Sequence, residues 1–360
     1  MDQELYGALL EVSKNIPVID ANRQYWFIRT NGGLFYDDFW HSSAVGIGYN
    51  LLTLDMLSEA GKTTNPTGYL NSAVEQYYTG HKQPGRVIGL MLRFLYEMKE
   101  GDIVVMPSGS GVVAFGEVTG DPPFELEGEG PWSDIDRERD RHVPFRKRRS
   151  VKWLMRASRE KLDSNLYGAF VAPQALSKLN DYGDFIDREL HAIYTKGGET
   201  HVRLDIGSKG GIDGDDYFDM GHALLSLCRD FREEHGLASD AKRIDVRSNV
   251  QSPGLLEFIG ANPLLMAWLA SVITVGLFGG HAKSEKLGIS IGTDGLIKSV
   301  QNYLDARSRR ITLEQILAEK LQLMDASVSA DLLRTLTAVT PATPAPQAPL
   351  SPPQIPPTTA

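Results

Sequence analysis

Residues 93 to 119, RFLYEMKEGDIVVMPSGSGVVAFGEVT, constrain the fold of this 360-residue chain more than any other stretch. Phe94, Leu95 and Met98 share one side of a helix end, and Gly101-Asp102 reads as a turn. Ile103 to Met106 then reads as a strand that Pro107 stops, and Ser-Gly-Ser-Gly separates it from a second strand, Val112 to Val118. A tight hairpin is implied. Pro107 removes a ladder donor and the glycines permit close backbone approach, so the turn can also wall a pocket.

Around this hairpin the length predicts two domains, each with material for a buried core. A hydrophobic fraction of 42% and a charged fraction of 23% are those of a globular protein rather than a disordered one. The net charge of -9 argues against sequence-blind coating of nucleic acid, which draws its affinity from phosphate neutralisation. The single cysteine, Cys228, allows neither an intramolecular disulfide nor a cysteine-based zinc site. It fits a reducing cytosol and a packing role in an apolar helix. The first residues have no basic region followed by an apolar core, so no signal peptide is read there. No cofactor or metal motif is read either.

In chain order, residues 4–14 form a helix pattern that ends before Pro17. Tyr25 to Arg29 is an aromatic, β-branched strand closed by Asn31-Gly32-Gly33. FYDDFW, from Phe35, is a helical turn. AVGIGY, from Ala44, is a small-residue strand against whose glycines another backbone or a flat ring can lie. Residues 66–99 carry a helix pattern with a loop at Gly80 to Gly85. An acidic loop (Phe124 to Asp140), the basic run Arg146 to Arg149 and a strand from Ser150 to Leu154 follow the hairpin.

YWFIRTNGGLFYDDFW, VGIGY, EMKEGDIVVMPSGSGVVAFGEVTGD and RRSVKWL occur in that order over about residues 23–156, and together they resemble the EVE-like, PUA-superfamily domain at the N-terminus of Mrr-type restriction proteins. SREKLDSNLYGAF resembles that family's connector. The resemblance implies a small twisted β-barrel with flanking helices, whose relatives take a base, often a modified one, into an aromatic pocket. Gly48-Tyr49 stands where the family usually has Gly-Trp.

A base pocket needs a stacking face, polar groups for the base edge and cations for flanking phosphates. Trp26, Tyr36, Trp40 and Tyr49 are the stacking candidates. Asn50, Ser108 and the backbone around Gly109 are edge candidates beside Pro107, and Arg29, Lys147, Arg148, Arg149 and Lys152 are phosphate candidates. Each has a plainer alternative: Trp26 alternates along a strand and suits a core equally, and the basic run can be a charge-balanced surface.

The second half reads as a different unit. Gly210-Gly211-Ile212-Asp213-Gly214 resembles the acidic motif of Mrr-type nuclease domains, but no Gln-x-Lys strand follows in register to complete a Mg²⁺ centre. Asp213, Asp215 and Asp216 suit a helix N-terminus instead. From Phe258 to Gly280 there is no charge over about 23 residues, long enough at about 1.5 Å each either to cross a bilayer or to run through a core. Arg307, Arg309 and Arg310 form a basic bend suited to an anionic leaflet. Residues 338–360 are Pro-rich and uncharged, a disordered tail by composition.

The sequence thus predicts an α+β protein. A PUA-like β-barrel with flanking helices and its connector occupy 1–194, and a smaller α+β module with one strongly apolar, membrane-directed or core helix at 258–280 occupies 195–330. The expected function is binding of a modified base or nucleotide as the sensor of a bacterial anti-phage or restriction system. The expected setting is the cytoplasm or inner membrane, with an effector or nuclease partner encoded nearby. A modification-dependent endonuclease and a non-nucleotide interaction scaffold are the alternatives.

Overall fold

A computed structural model of the chain describes residues 3–126, 145–171, 174–208, 211–237, 243–249, 254–279 and 295–337. These form two compact units: a central one of residues 19–192 and an outer one that joins residues 1–18 to 193–360. The first eighteen residues therefore belong with the C-terminal half and not with the module that follows them. The reason is α1 (Gln3–Asn15), whose Leu5, Leu9 and Val12 recur at helical spacing and are fully buried. It packs on helices from the far end of the chain, a pairing with no local signal. β1 (Val18–Ile19) follows and pairs with β9 (Ile193–Lys196), so the central unit is inserted between two neighbouring strands of the outer sheet.

The central unit is built on β2 (Tyr25–Ile28), β3 (Ala44–Ile47), β4 (Ile103–Pro107), β5 (Val112–Val118), β6 (Phe124–Glu125), β7 (Lys147–Ser158) and β8 (Leu176–Lys178). Their order is β3-β7-β5-β4-β2-β8, with β6 beside β7. β2 and β4 are parallel, and the other pairs are antiparallel. The sheet curls into a half-barrel whose end strands are β3 and β8, and the fold is mixed α+β. It separates two cores, which is why β2 is buried on both faces. Trp26 and Ile28 face a core with Phe39, Leu57, Leu70 and Val87 from α2 (Tyr36–His41), α3 (Leu54–Lys62), α4 (Pro66–Tyr77) and α5 (Pro84–Leu92). Tyr25 and Phe27 face another, with Phe115, Leu166 and Ile186, the last from α6 (Gly183–Leu190).

Asp102, in the Gly-Asp turn, pins β2 to the hairpin. Its Oδ1 accepts from the Gln24 N–H at 3.0 Å, and its Oδ2 accepts from Trp26 Nε1 at 2.8 Å and the Lys99 N–H at 2.9 Å. Only a carboxylate accepts on both oxygens. Asp102→Asn turns one acceptor into a donor facing a donor, and it should cost about 2 kcal/mol in urea unfolding. A loss below about 0.5 kcal/mol would show that the turn stands without this staple.

In the outer unit, β10 (Glu199–Ile206), β11 (Ile244–Asn249), β12 (Gly254–Gly260) and β13 (Ala326–Ser327) complete a sheet of order β1-β9-β10-β12-β11, with β13 beside β10. α7 (Gly214–His235) begins at Asp213, whose side chain accepts from the N–H groups of Asp215 (2.9 Å) and Asp216 (3.3 Å), and it ends at the left-handed Gly236. Asp213 is thus a helix cap. Cys228 is buried in α7, and burial pushes its thiol up to about 12, so it packs rather than reacts.

The apolar run 258–280 is not one helix. Phe258 to Gly260 end β12, Asn262 caps through a bond from the Leu265 N–H (3.0 Å), and α8 (Pro263–Phe278) has 16 residues. Among the described residues no helix is long and apolar enough to cross a membrane. The basic bend is also reassigned. At the junction of α9 (Leu296–Asp305) with the first turn of α10 (Ser308–Leu323), Arg307 and Arg310 pair with Glu234 and Arg309 with Asp230, both on α7. The described residues end with α11 (Ala330–Thr337); the Pro-rich tail and most of the acidic loop lie outside them.

Candidate functional site

The loop after β2 and the turn after β4 enclose a cleft of about 690 Å³ in the central unit. Phe27, Arg29, Thr30, Gly32 and Gly33 line one side, and Pro107 to Gly109 with Gly111 to Val113 line the other. Arg159, Phe170 and Val171 complete it. Among these lining residues there are two arginines and no carboxylate.

The two loops are held by backbone contact that only glycine permits. A Cβ on Gly33 would lie 2.0 Å from the Gly109 nitrogen, and one on Gly109 would lie 2.3 Å from the Gly32 oxygen. Thr30 spans the same gap: its Oγ1 donates to the Pro107 carbonyl (2.6 Å) and accepts from the Gly33 N–H (3.2 Å). Ser108 braces the hairpin from within. Its Oγ accepts from the N–H groups of Val112 (2.9 Å) and Ser110 (3.2 Å) and shares a bond with Ser110 Oγ (3.0 Å). That hydroxyl shapes the wall rather than reading a ligand.

Arg29, Pro107, Ser108 and Gly109 therefore converge on the cleft. The other sequence-selected residues go elsewhere. Trp26 is fully buried, with its indole N–H spent on Asp102; Tyr36 is buried in the same core, and Trp40 stacks on Trp153 at 5.4 Å.

The basic run is an interior feature, which corrects its reading as a phosphate contact or solvated surface. Lys147, Arg148 and Arg149 are buried at the start of β7, each provided with acceptors. Lys147 Nζ donates to the Tyr49 carbonyl at 2.7 Å. Arg148 donates to the Phe145 carbonyl at 2.8 Å and to Asp38 at 3.2 Å. Arg149 donates at 3.0 Å to the carbonyl of Phe94, in the π-helical turn Arg93–Glu97 that ends α5. Burial lowers the pKa of both arginines. Of the run's neighbours, Lys152 is exposed on β7, paired in register with Glu117.

Tyr49 and Asn50 do not line the cleft. Asn50 is buried and its Oδ1 accepts from the Arg146 N–H at 3.0 Å. Tyr49 takes a left-handed backbone (φ 60°), and its half-buried ring meets Tyr78 and His81 edge-on at 5.2 and 5.8 Å. The flat ring expected against the glycines of this strand exists, but it is the chain's own: a Cβ on Gly48 would lie 3.1 Å from the Phe145 ring. Gly46 makes the same room for Arg148.

Thr30, Gly33, Arg159 and Phe170 were outside the sequence selection. Of these only Gly33 had a signal, as the last residue of Asn-Gly-Gly.

The model of one protein family, described as a domain of unknown function (DUF8426), matches residues 34–180, a span inside the central unit. No curated protein and no solved structure matches the chain.

Proposed function

We propose that the central unit is a PUA-like reader that binds a modified base or nucleotide, as the sensor of a bacterial anti-phage or restriction system. The observation that carries this reading is convergence: four residues selected from the sequence for such a pocket, Arg29, Pro107, Ser108 and Gly109, line a single cleft. Its volume of about 690 Å³ falls within the roughly 300–1,000 Å³ of small-molecule sites. The use of Asp213 as a helix cap favours a reader with a separate effector partner over an endonuclease.

Titrating the full chain with short oligonucleotides, plain and cytosine-modified, tests the reading. Phe170 is the aromatic wall of the cleft that is not wholly buried, so Phe170→Ala should weaken binding about tenfold, the worth of one base–aromatic stack. Tyr49→Ala should leave it within about twofold. The reverse pattern would move the base to the Tyr49 loop. Absence of binding to every oligonucleotide and nucleotide would overturn the reading and favour an interaction scaffold.

A further inference from the structure

Among the described residues, most of the central unit's half-buried arginines have acceptors. Of those at least half-buried, Arg23 faces Asp187 and Glu117, Arg148 faces Asp38, and Arg188 faces Asp163. Arg146 and Arg149 donate to the carbonyls of Leu126 and Phe94. Arg159 is half-buried too, immediately after β7, and its backbone N–H donates to the Gly111 carbonyl at 2.8 Å. Its guanidinium lies over the rings of Tyr167 and Phe170, 4.9 and 5.3 Å from their centroids. Among the described residues it has neither a hydrogen-bonded acceptor nor an ion pair. Two aromatic faces thus hold the guanidinium, and its N–H donors are left for something that enters the cleft.

A planar fork matches the paired oxygens of a phosphate. Arg29 adds a second positive charge to the cleft lining, which holds no carboxylate. We infer that Arg159 is the anchor for a phosphate group of the cleft's ligand, so that the site takes a nucleotide or a phosphodiester rather than a bare base or nucleoside. This rests on the nucleotide-reader reading, which makes the anion a phosphate. The stacking also separates the roles of the cleft residues. Phe170 and Arg159, in contact with each other, bring an aromatic face and a cation to the cleft. The Gly33–Gly109 contact adds a backbone stretch to the lining.

The experiment titrates the full-length protein with deoxycytidine, deoxycytidine 5′-monophosphate, a short cytosine-containing oligonucleotide and inorganic phosphate, at low and physiological salt. The monophosphate should bind about tenfold to a hundredfold more tightly than the nucleoside, the range of one charge-assisted hydrogen-bond set. Arg159→Ala should erase that difference, and Arg159→Lys should restore part of it, because lysine supplies the charge without the fork. The lysine variant also covers the case in which loss of the ring stacking unfolds the alanine variant. If the oligonucleotide alone binds and loses affinity in both variants, the phosphate comes from a nucleic-acid backbone and the anchor stands. If nucleoside and monophosphate bind within about twofold of each other, or the folded variants keep wild-type affinity for the monophosphate or oligonucleotide, the anchor falls while the reader survives. If none of the probes binds, both fall together.

Discussion

Gly33→Ala should destabilise the central unit by about 3 kcal/mol and abolish ligand binding in the cleft, whereas Gly32→Ala, one residue away, should cost only about 1 kcal/mol. Both glycines have positive φ, 68° at Gly32 and 97° at Gly33, so each alanine is strained by its backbone. The difference lies in what a methyl group would meet. At Gly32 nothing stands within 4 Å, while at Gly33 the Gly109 nitrogen stands at 2.0 Å and its Cα at 2.5 Å. Backbone atoms cannot swing aside as the end of a side chain does, so the two loops must part, at the usual overpacking cost of about 1–3 kcal/mol. Parting them also breaks the Thr30 bridge to Pro107 and reshapes the cleft. Urea unfolding of both variants and a titration of each measure this. Equal destabilisation would show that the loops do not touch as described.

What the sequence disclosed and what it hid divide along local and non-local lines. The 103–118 hairpin was legible because its signals are local: Gly101 at φ 82°, the stop at Pro107 and Gly111 at φ 80°. The strand at Tyr25 and the helical turn at Tyr36 were legible for the same reason. The basic run misled because its acceptors lie far away in sequence: Asp38, the Tyr49 carbonyl and the Phe94 carbonyl are about 50 to 110 positions from Lys147, Arg148 and Arg149. Charge read from sequence counts cations and cannot see what neutralises them. Arg159 shows the opposite failure. It sits in an ordinary charged stretch, Ser158-Arg159-Glu160-Lys161, and nothing there marks it as a cation that has no acceptor among the described residues. Only the packing of Tyr167 and Phe170 beneath it does so.

The apolar run at 258–280 shows how one pattern serves two environments, and a single substitution separates them. A helix that is apolar all round belongs in a bilayer or in a core. Length decides here, since the 16 residues of α8 rise about 24 Å, short of the roughly 30 Å hydrocarbon layer. The start signal was present in Asn262-Pro263, a cap followed by proline at the first helical position, but hydropathy summed over the run passes across it. In the fold, Ser271 Oγ and Thr274 Oγ1 bond back to the carbonyls of Ala267 (2.7 Å) and Ala270 (2.8 Å), so neither hydroxyl is left unsatisfied. Ala270 itself is 0% exposed, on a helix packed against α1, α7, α9, α10 and the sheet of the outer unit. Ala270→Arg would bury a charge with no acceptor and force a long side chain into filled space, two penalties of several kcal/mol that together exceed about 5 kcal/mol. A domain's whole stability is about 5–15 kcal/mol, so the outer unit should unfold and lose the stacking of Trp268 on Phe231, now at 4.5 Å between centroids. Arginine at Leu323, 57% exposed on α10, is the control and should cost under about 0.5 kcal/mol. Tryptophan fluorescence and limited proteolysis of the two variants read this directly. A wild type that pellets with membranes, and an Ala270→Arg variant that moves folded into the supernatant, would instead make the run a membrane segment.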